Sequence, residues 1–233
     1  MIVAYKALPC EIMCLQVAST HCEDMKGSST LYTVFVTGSL ASGKHTACLY
    51  LVQKGFIHID LDDIAKEFLQ DELVVMQLIE HYGSDILDEE GSIDRGELAQ
   101  RAFVDTESSI ALNETIWPLT QQRLADLILG MSCQQDQSDL KLAIEIPMLA
   151  EAPDFADLAD TVICITSLSS IRIQRAQARG MALEDIKHRM ALQATDEERA
   201  EICDVVIENN GSLESLHEKL DAWLQLQQHE QMF

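Results

Sequence analysis

The chain has 233 residues, 47% hydrophobic and 24% charged, enough for one domain with an inserted subdomain around a substantial core. Its formal charge is −23 with only 16 lysines and arginines, a field that repels nucleic acid and anionic membranes, so neither is expected as a partner. A phosphate-bearing ligand therefore needs a local basic patch, and seven irregularly spaced cysteines do not make a disulfide framework in a chain this long.

Residues 1–30 show no clear period and read as an extension preceding the folded domain. Cys10, Cys14 and Cys22 match no zinc spacing, and Met25 is a candidate alternative translation start. Lys6 and Glu11 interrupt any signal-peptide apolar region, and no run approaches the ~20 apolar residues of a membrane span, so a cytoplasmic location is expected.

From Leu31 onward, short β-branched runs alternate with amphipathic segments. Strands are predicted at 31–37, 56–60, 140–146, 161–166 and 204–209; their nearly unbroken apolar character suits a parallel sheet covered on both faces. Helices are predicted at 43–54, 61–81, 95–104, 107–130, 168–179, 182–194 and 212–228, with Ser212 starting the last and Pro118 breaking or kinking the fourth. The stretch 61–139 is too long for a simple crossover and predicts a helical subdomain. Cys48, Cys164 and Cys203 fall in apolar segments and read as core thiols.

Between the first strand and first helix lies "TGSLASGKHT", residues 37–46. Gly38, four residues, then Gly43-Lys44 fit a phosphate loop in spacing and context, which implies an α/β P-loop NTPase-type fold of three layers around a five-stranded parallel sheet. Glycines let backbone N–H groups converge on one point, the helix N-terminus adds partial positive charge, and Lys44 can reach β- and γ-phosphates. His45 stands where a serine or threonine usually offers Mg²⁺ an oxygen, and imidazole is a poor ligand for that hard cation. Thr46, ~100° further round the helix, does not simply replace it.

Asp60 and Asp62 in "HIDLDDIA" follow the second strand, at the sheet edge where such folds bind ligands. Here the chain resembles the dephospho-coenzyme A kinase family, whose loop TGGIGSGKST is followed by a D-A-D-x-I-A-like motif. Asp62 follows Lys44 by eighteen positions, the family's interval. "YGSDILDEEGSIDRGELAQRAF", "LNETIWPL", "IPMLAEA", "IQRAQARG" and "ALQATDEERAEICDVVIENNGS" resemble further family segments in order, over about residues 33–225. Trp117 occupies a position where the family usually has histidine.

The resemblance implies transfer of the ATP γ-phosphoryl group to the ribose 3′-hydroxyl of dephospho-coenzyme A, with Mg²⁺ as cofactor. It implies that Lys44 and the loop backbone, including Gly38, Ala41, Ser42, Gly43, His45 and Thr46, hold the ATP phosphates, and that Asp62 orients the hydroxyl and accepts its proton. Asp60 is expected to help hold magnesium through water and to border the acceptor. Arg175 and Arg179, with Arg172 beside them, are expected to close over the transferring group from a lid at about 168–195. Arg95 and Arg101, in the helical acceptor subdomain, are candidates for the acceptor pyrophosphate. Asn209, Asn210 and Gly211 are expected near the adenine; Asn-Gly is equally a turn signal. The rival readings are a P-loop kinase for another small molecule and a nucleotide-binding paralogue without chemistry. Monomer and homo-oligomer stay open.

Overall fold

The computed structural model describes residues 31–132, 140–151 and 153–230. The expectations for residues 1–30, including Met25 and Cys10, Cys14 and Cys22, lie outside the described residues.

Five parallel strands form one sheet in the order β2-β3-β1-β4-β5: β1 (Tyr32–Thr37), β2 (Ile57–Asp60), β3 (Lys141–Glu145), β4 (Thr161–Thr166) and β5 (Val205–Glu208). β1 lies at the centre, and alternate side chains on it explain the three layers. Val34 and Val36 bury themselves against α1 (Lys44–Gln53) and α9 (Leu213–Glu230), through Ala47, Leu51, Leu216, Leu220 and Trp223. Phe35 points the other way, into a cluster with Leu142, Ile144 and Phe155 and with Leu61, Ile64 and Leu124 from the helices between β2 and β3. Because β1 is apolar on both faces, it can only be an inner strand.

The segment between β2 and β3 holds α2 (Leu61–Glu67), α3 (Glu72–Tyr82), α4 (Arg95–Ala102) and α5 (Thr106–Ser132). It carries its own small core of Val74, Leu78, Tyr82, Ile86, Leu98, Ala102 and Ile116. Two corrections arise here. The single helix expected over 61–81 is divided by a 3₁₀ turn at 68–70 and by Asp71, whose carboxylate caps a new helix by accepting from the backbone N–H groups of Leu73 and Val74. Pro118 does not end α5, which runs through it for 27 residues; proline removes one donor, and the packing of Ile116, Thr120 and Leu124 holds the remainder. Trp117 packs instead on the Phe35 cluster of the sheet, stacked on Phe155 at a centroid distance of 5.2 Å.

After β4 come α6 (Ser169–Ala178) and α7 (Leu183–Leu192), then a short helix absent from the sequence expectations, α8 (Asp196–Ala200). Thr195 and Glu198 form a reciprocal capping box at its start. Ser212 Oγ accepts from the Ser215 N–H, as expected for the start of α9. Cys48 and Cys164 are buried and Cys203 half-buried, all as free thiols. No helix among the described residues is long and apolar enough to cross a membrane.

Phe35 is fully buried and faces Phe155 at 6.2 Å. Phe35→Ala is expected to destabilise the protein by about 3–5 kcal/mol. Urea unfolding measures this through the transition midpoint, and a midpoint unmoved from wild type would show that this face of the sheet is not the core.

Candidate active site

The loop between β1 and α1 folds tightly because three of its residues take left-handed or otherwise positive φ. Gly38 has φ 149° and Gly43 φ 111°, and Ala41 sits at φ 59°. A Cβ on Gly38 would stand 2.2 Å from the Ile165 carbonyl oxygen, and one on Gly43 would stand 2.3 Å from Asn209 Nδ2. Ala41 pays about 1 kcal/mol for its conformation. Surrounding contacts hold it there: Ala41 is buried with Ala176 and Ile186, and Leu40 packs beside them.

The Ser42 carbonyl is the loop's main anchor. It accepts from Asn209 Nδ2 at 2.7 Å and from Arg175 Nη1 at 3.2 Å. Arg175 also donates to the Asn209 carbonyl at 3.0 Å, so loop, lid helix α6 and the end of β5 meet at one point. Gly43 begins α1 without a side-chain cap, which leaves the first-turn N–H groups free for an anion. Lys44 Nζ donates back to the carbonyls of Gly38 at 2.9 Å and Ser39 at 3.3 Å. Burial lowers its pKa, against the pull of Glu145 and Asp62.

A cavity of about 360 Å³ opens beside the loop, lined by Gly43, Thr46, Arg175, Arg179, Asn209 and Gly211, with Ala178, Leu213 and Leu216 as its apolar side. The sequence expected six of these nine. Asn210 turns away from it, with Oδ1 accepting from the Leu168 N–H and from Ser167 Oγ.

Carboxylates also act on Lys44. Asp60 caps α2, accepting from the Asp62 N–H at 2.9 Å. The Asp62 side chain is reachable from solvent yet crowded by protein on the loop side. That crowding and then the neighbouring Asp60 charge raise its pKa above the ordinary carboxylate range, with Lys44 and Lys66 opposing.

Three residues that the sequence reading passed over stand at this site. Glu145 ends β3, buried, with His45 Nδ1 at 3.1 Å from its Oε2. His58 Nε2 lies 3.5 Å from the same oxygen, buried and without a hydrogen bond. Arg199, from α8, is fully buried; it donates to Ser39 Oγ at 3.1 Å and to the Ala194 carbonyl, while Nε and Nη2 are unmatched. The signals were present: a lone glutamate and a lone histidine inside apolar strands, and an arginine four residues after a capping threonine.

Other expected site residues are engaged elsewhere. Arg101 spends its guanidinium on the Tyr82 carbonyl at 3.0 Å and on Asp85 at 3.4 Å. Arg95 is the exposed first residue of α4, which Asp94 caps, and among the described residues it makes no contact with the loop. Arg172 is buried beside Ser169 Oγ at 3.2 Å and Asp196 at 3.9 Å.

A family model described as dephospho-CoA kinase matches residues 32–215, the span that carries loop, carboxylates, lid and all of the cavity lining but Leu216. The chain belongs to the dephospho-CoA kinase family. A dephospho-CoA kinase of Corynebacterium glutamicum is 35% identical over 184 residues, covering 78% of this chain and 92% of its own length. One from Corynebacterium diphtheriae is 33% identical over 183 residues, covering 78% and 90%. The crystal structure of TT1252 from Thermus thermophilus superimposes with a TM-score of 0.66 at 26% identity, covering 83% of this chain and 96% of that one. A dephospho-CoA kinase from Campylobacter jejuni shares the fold, with a TM-score of 0.54 at 24% identity over 84% and 96% of the two chains. The protein is thus an enzyme of the P-loop kinase type, and membership of this family implies a nucleoside triphosphate and a divalent cation as a class.

The loop geometry separates two glycine substitutions. Gly38→Ala meets the Ile165 carbonyl, whereas Gly55, at φ 92°, has nothing within 4 Å of a Cβ. Gly55→Ala is expected to cost only about 1 kcal/mol of backbone strain and to bind nucleotide normally. Gly38→Ala is expected to lose nucleotide binding, which titration of a fluorescent ATP analogue reads directly. Equal affinity in the two variants would contradict this account of the loop.

Proposed function

We propose that the protein phosphorylates the ribose 3′-hydroxyl of dephospho-coenzyme A with ATP as donor, giving coenzyme A and ADP. The observation that carries this reading is the pairing of a preformed phosphate loop with Asp62 across Lys44, in a chain of this family.

ATP phosphates lie against the loop and the start of α1, whose N-cap Gly43 carries no side-chain cap, and the base and ribose enter the cavity beside Asn209 and Gly211. Lys44 leaves the two loop carbonyls it now serves and turns to the phosphate oxygens; its partial desolvation makes that exchange favourable. Arg175 and Arg179 approach from the lid, where Arg175 already touches the loop. The acceptor hydroxyl sits by Asp62, which aligns it and takes its proton. In a loose transition state, alignment and charge neutralisation outweigh proton removal. The helical segment 61–132 forms the acceptor side, with Asp60 at its border and Arg95 at its periphery.

ATP fits the residues present, because the uncapped start of α1 opens beside a cavity lined by Arg175, Arg179 and Asn209. Mg²⁺ fits less well. The group of His45, His58 and Glu145 offers two imidazoles and one carboxylate, where a hard cation asks for oxygen.

The test is formation of ADP and coenzyme A by the purified protein with ATP and dephospho-coenzyme A. Lys44→Ala is expected to abolish turnover, and Asp62→Asn to lower kcat by on the order of 10²-fold with little change in KM for ATP. Turnover needs Asp62 ionised. Its raised pKa therefore moves the acid-side loss of activity upward, above the ~3.9 of an ordinary aspartate. In Asp62→Asn the residual rate should be flat across that range. Turnover that is indifferent to the acceptor, or an acid limb at the ordinary value, would contradict the assignment.

A further inference from the structure

We infer that His45, His58 and Glu145 form a binding site for a first-row divalent transition cation of the zinc and cobalt class, set against the phosphate loop. The three residues come from three separate elements. His45 is the second residue of α1, His58 lies on β2, and Glu145 ends β3, which pairs with β2. One ligand atom from each lies within 4.8 Å of the others.

The distances match shared coordination. Metal–donor bonds of 2.0–2.1 Å in a tetrahedral site hold neighbouring donors about 3.3 Å apart. Glu145 Oε2 is 3.1 Å from His45 Nδ1 and 3.5 Å from His58 Nε2. A plain histidine–glutamate hydrogen bond accounts for the first distance but not for the second. It leaves His58 Nε2 buried, beside a carboxylate and unpartnered, which a metal ion would repair. Glu145 is buried as well, and a cation is the partner that both neutralises it and binds the imidazoles.

The donor chemistry decides which cation. Two neutral imidazole nitrogens and one carboxylate suit zinc, cobalt and nickel, whereas magnesium keeps oxygen ligands and an octahedral shell. Three protein ligands leave positions open for water or a phosphate oxygen. His45 replaces an oxygen donor directly after the loop lysine, so the substitution that disfavours magnesium supplies a ligand to the other class. Service of this metal in phosphoryl transfer rests on the proposed function; binding of the metal does not.

The test is Co²⁺ uptake by the metal-stripped full chain, without nucleotide or acceptor, followed by equilibrium dialysis and by the visible absorption of bound Co²⁺. Wild type is expected to hold one more equivalent than His58→Ala, to lose about tenfold or more in affinity for it in Glu145→Gln, and to keep it against equimolar Mg²⁺. Uptake at other sites cancels in the difference. His45 is exposed, so His45→Ser serves as a second variant that keeps the fold and should lose the same equivalent. Equal uptake and identical spectra in wild type and His45→Ser, or displacement by equimolar Mg²⁺, would overturn the inference. Because ATP and acceptor are absent, either result leaves the kinase reading to be judged by its own assay.

Discussion

The site depends first on the carbonyl oxygen of Ser42. A loop that bends through Gly38, Ala41 and Gly43 turns its N–H groups to one side and must turn its carbonyls to the other. With neither Asn209 nor Arg175 donating to it, the carbonyl of buried Ser42 would lose both of these partners. Asn209 is in turn held by its own N–H on the Thr166 carbonyl at the end of β4. Strand ends, loop and lid helix are thus fixed by a few hydrogen bonds. Nucleotide meets a cradle already shaped, so less ordering entropy is spent on binding.

Charge is distributed to match. A protein of net charge −23 repels a polyphosphate at long range, so attraction has to be local. Lys44, Arg175 and Arg199 all contact the loop or its first residues. Glu145 and Asp62 act on Lys44 directly, raising its proton affinity against the burial that lowers it, while burial and then the Asp60 charge raise that of Asp62. The lid closes this arrangement from above: the Leu40 N–H bonds Gln193 Oε1 at 2.9 Å, and Ser39 Oγ bonds the Asp196 carboxylate. Buried arginine and serine therefore couple the loop to α8 as well as to α6.

Much of this was legible in the residues. The inner strands β1, β3 and β4 were readable as apolar runs because a strand buried on both faces leaves no room for alternation, the edge strands β2 and β5 being more exposed, and the loop was readable because strand, glycines, lysine and helix agree. The division of 61–81 was harder to see. Asp71 is a helix cap, but the apolar positions on either side keep a helical period that hides the break. The α8 capping box went unread for the opposite reason, since five residues are too few to show any period. At the site, pattern reading absorbed His58 and Glu145 into their strands, because one polar residue does not disturb an apolar run. Only the sheet order, which sets β2 and β3 side by side, brings them to His45. Arg101 shows the converse: its residue type suits a phosphate, but its neighbours Tyr82 and Asp85 use it.

The most direct measurement is amide hydrogen exchange across residues 38–46 in nucleotide-free wild type and in Asn209→Ala. Removing Nδ2 and Oδ1 leaves the Ser42 carbonyl with Arg175 alone. Faster exchange confined to the loop, together with weaker ATP binding at unchanged global stability of the sheet, is the predicted result. Loop protection identical in the two proteins would mean that the cradle is not held from the end of β5, and the account of a preformed site would fail.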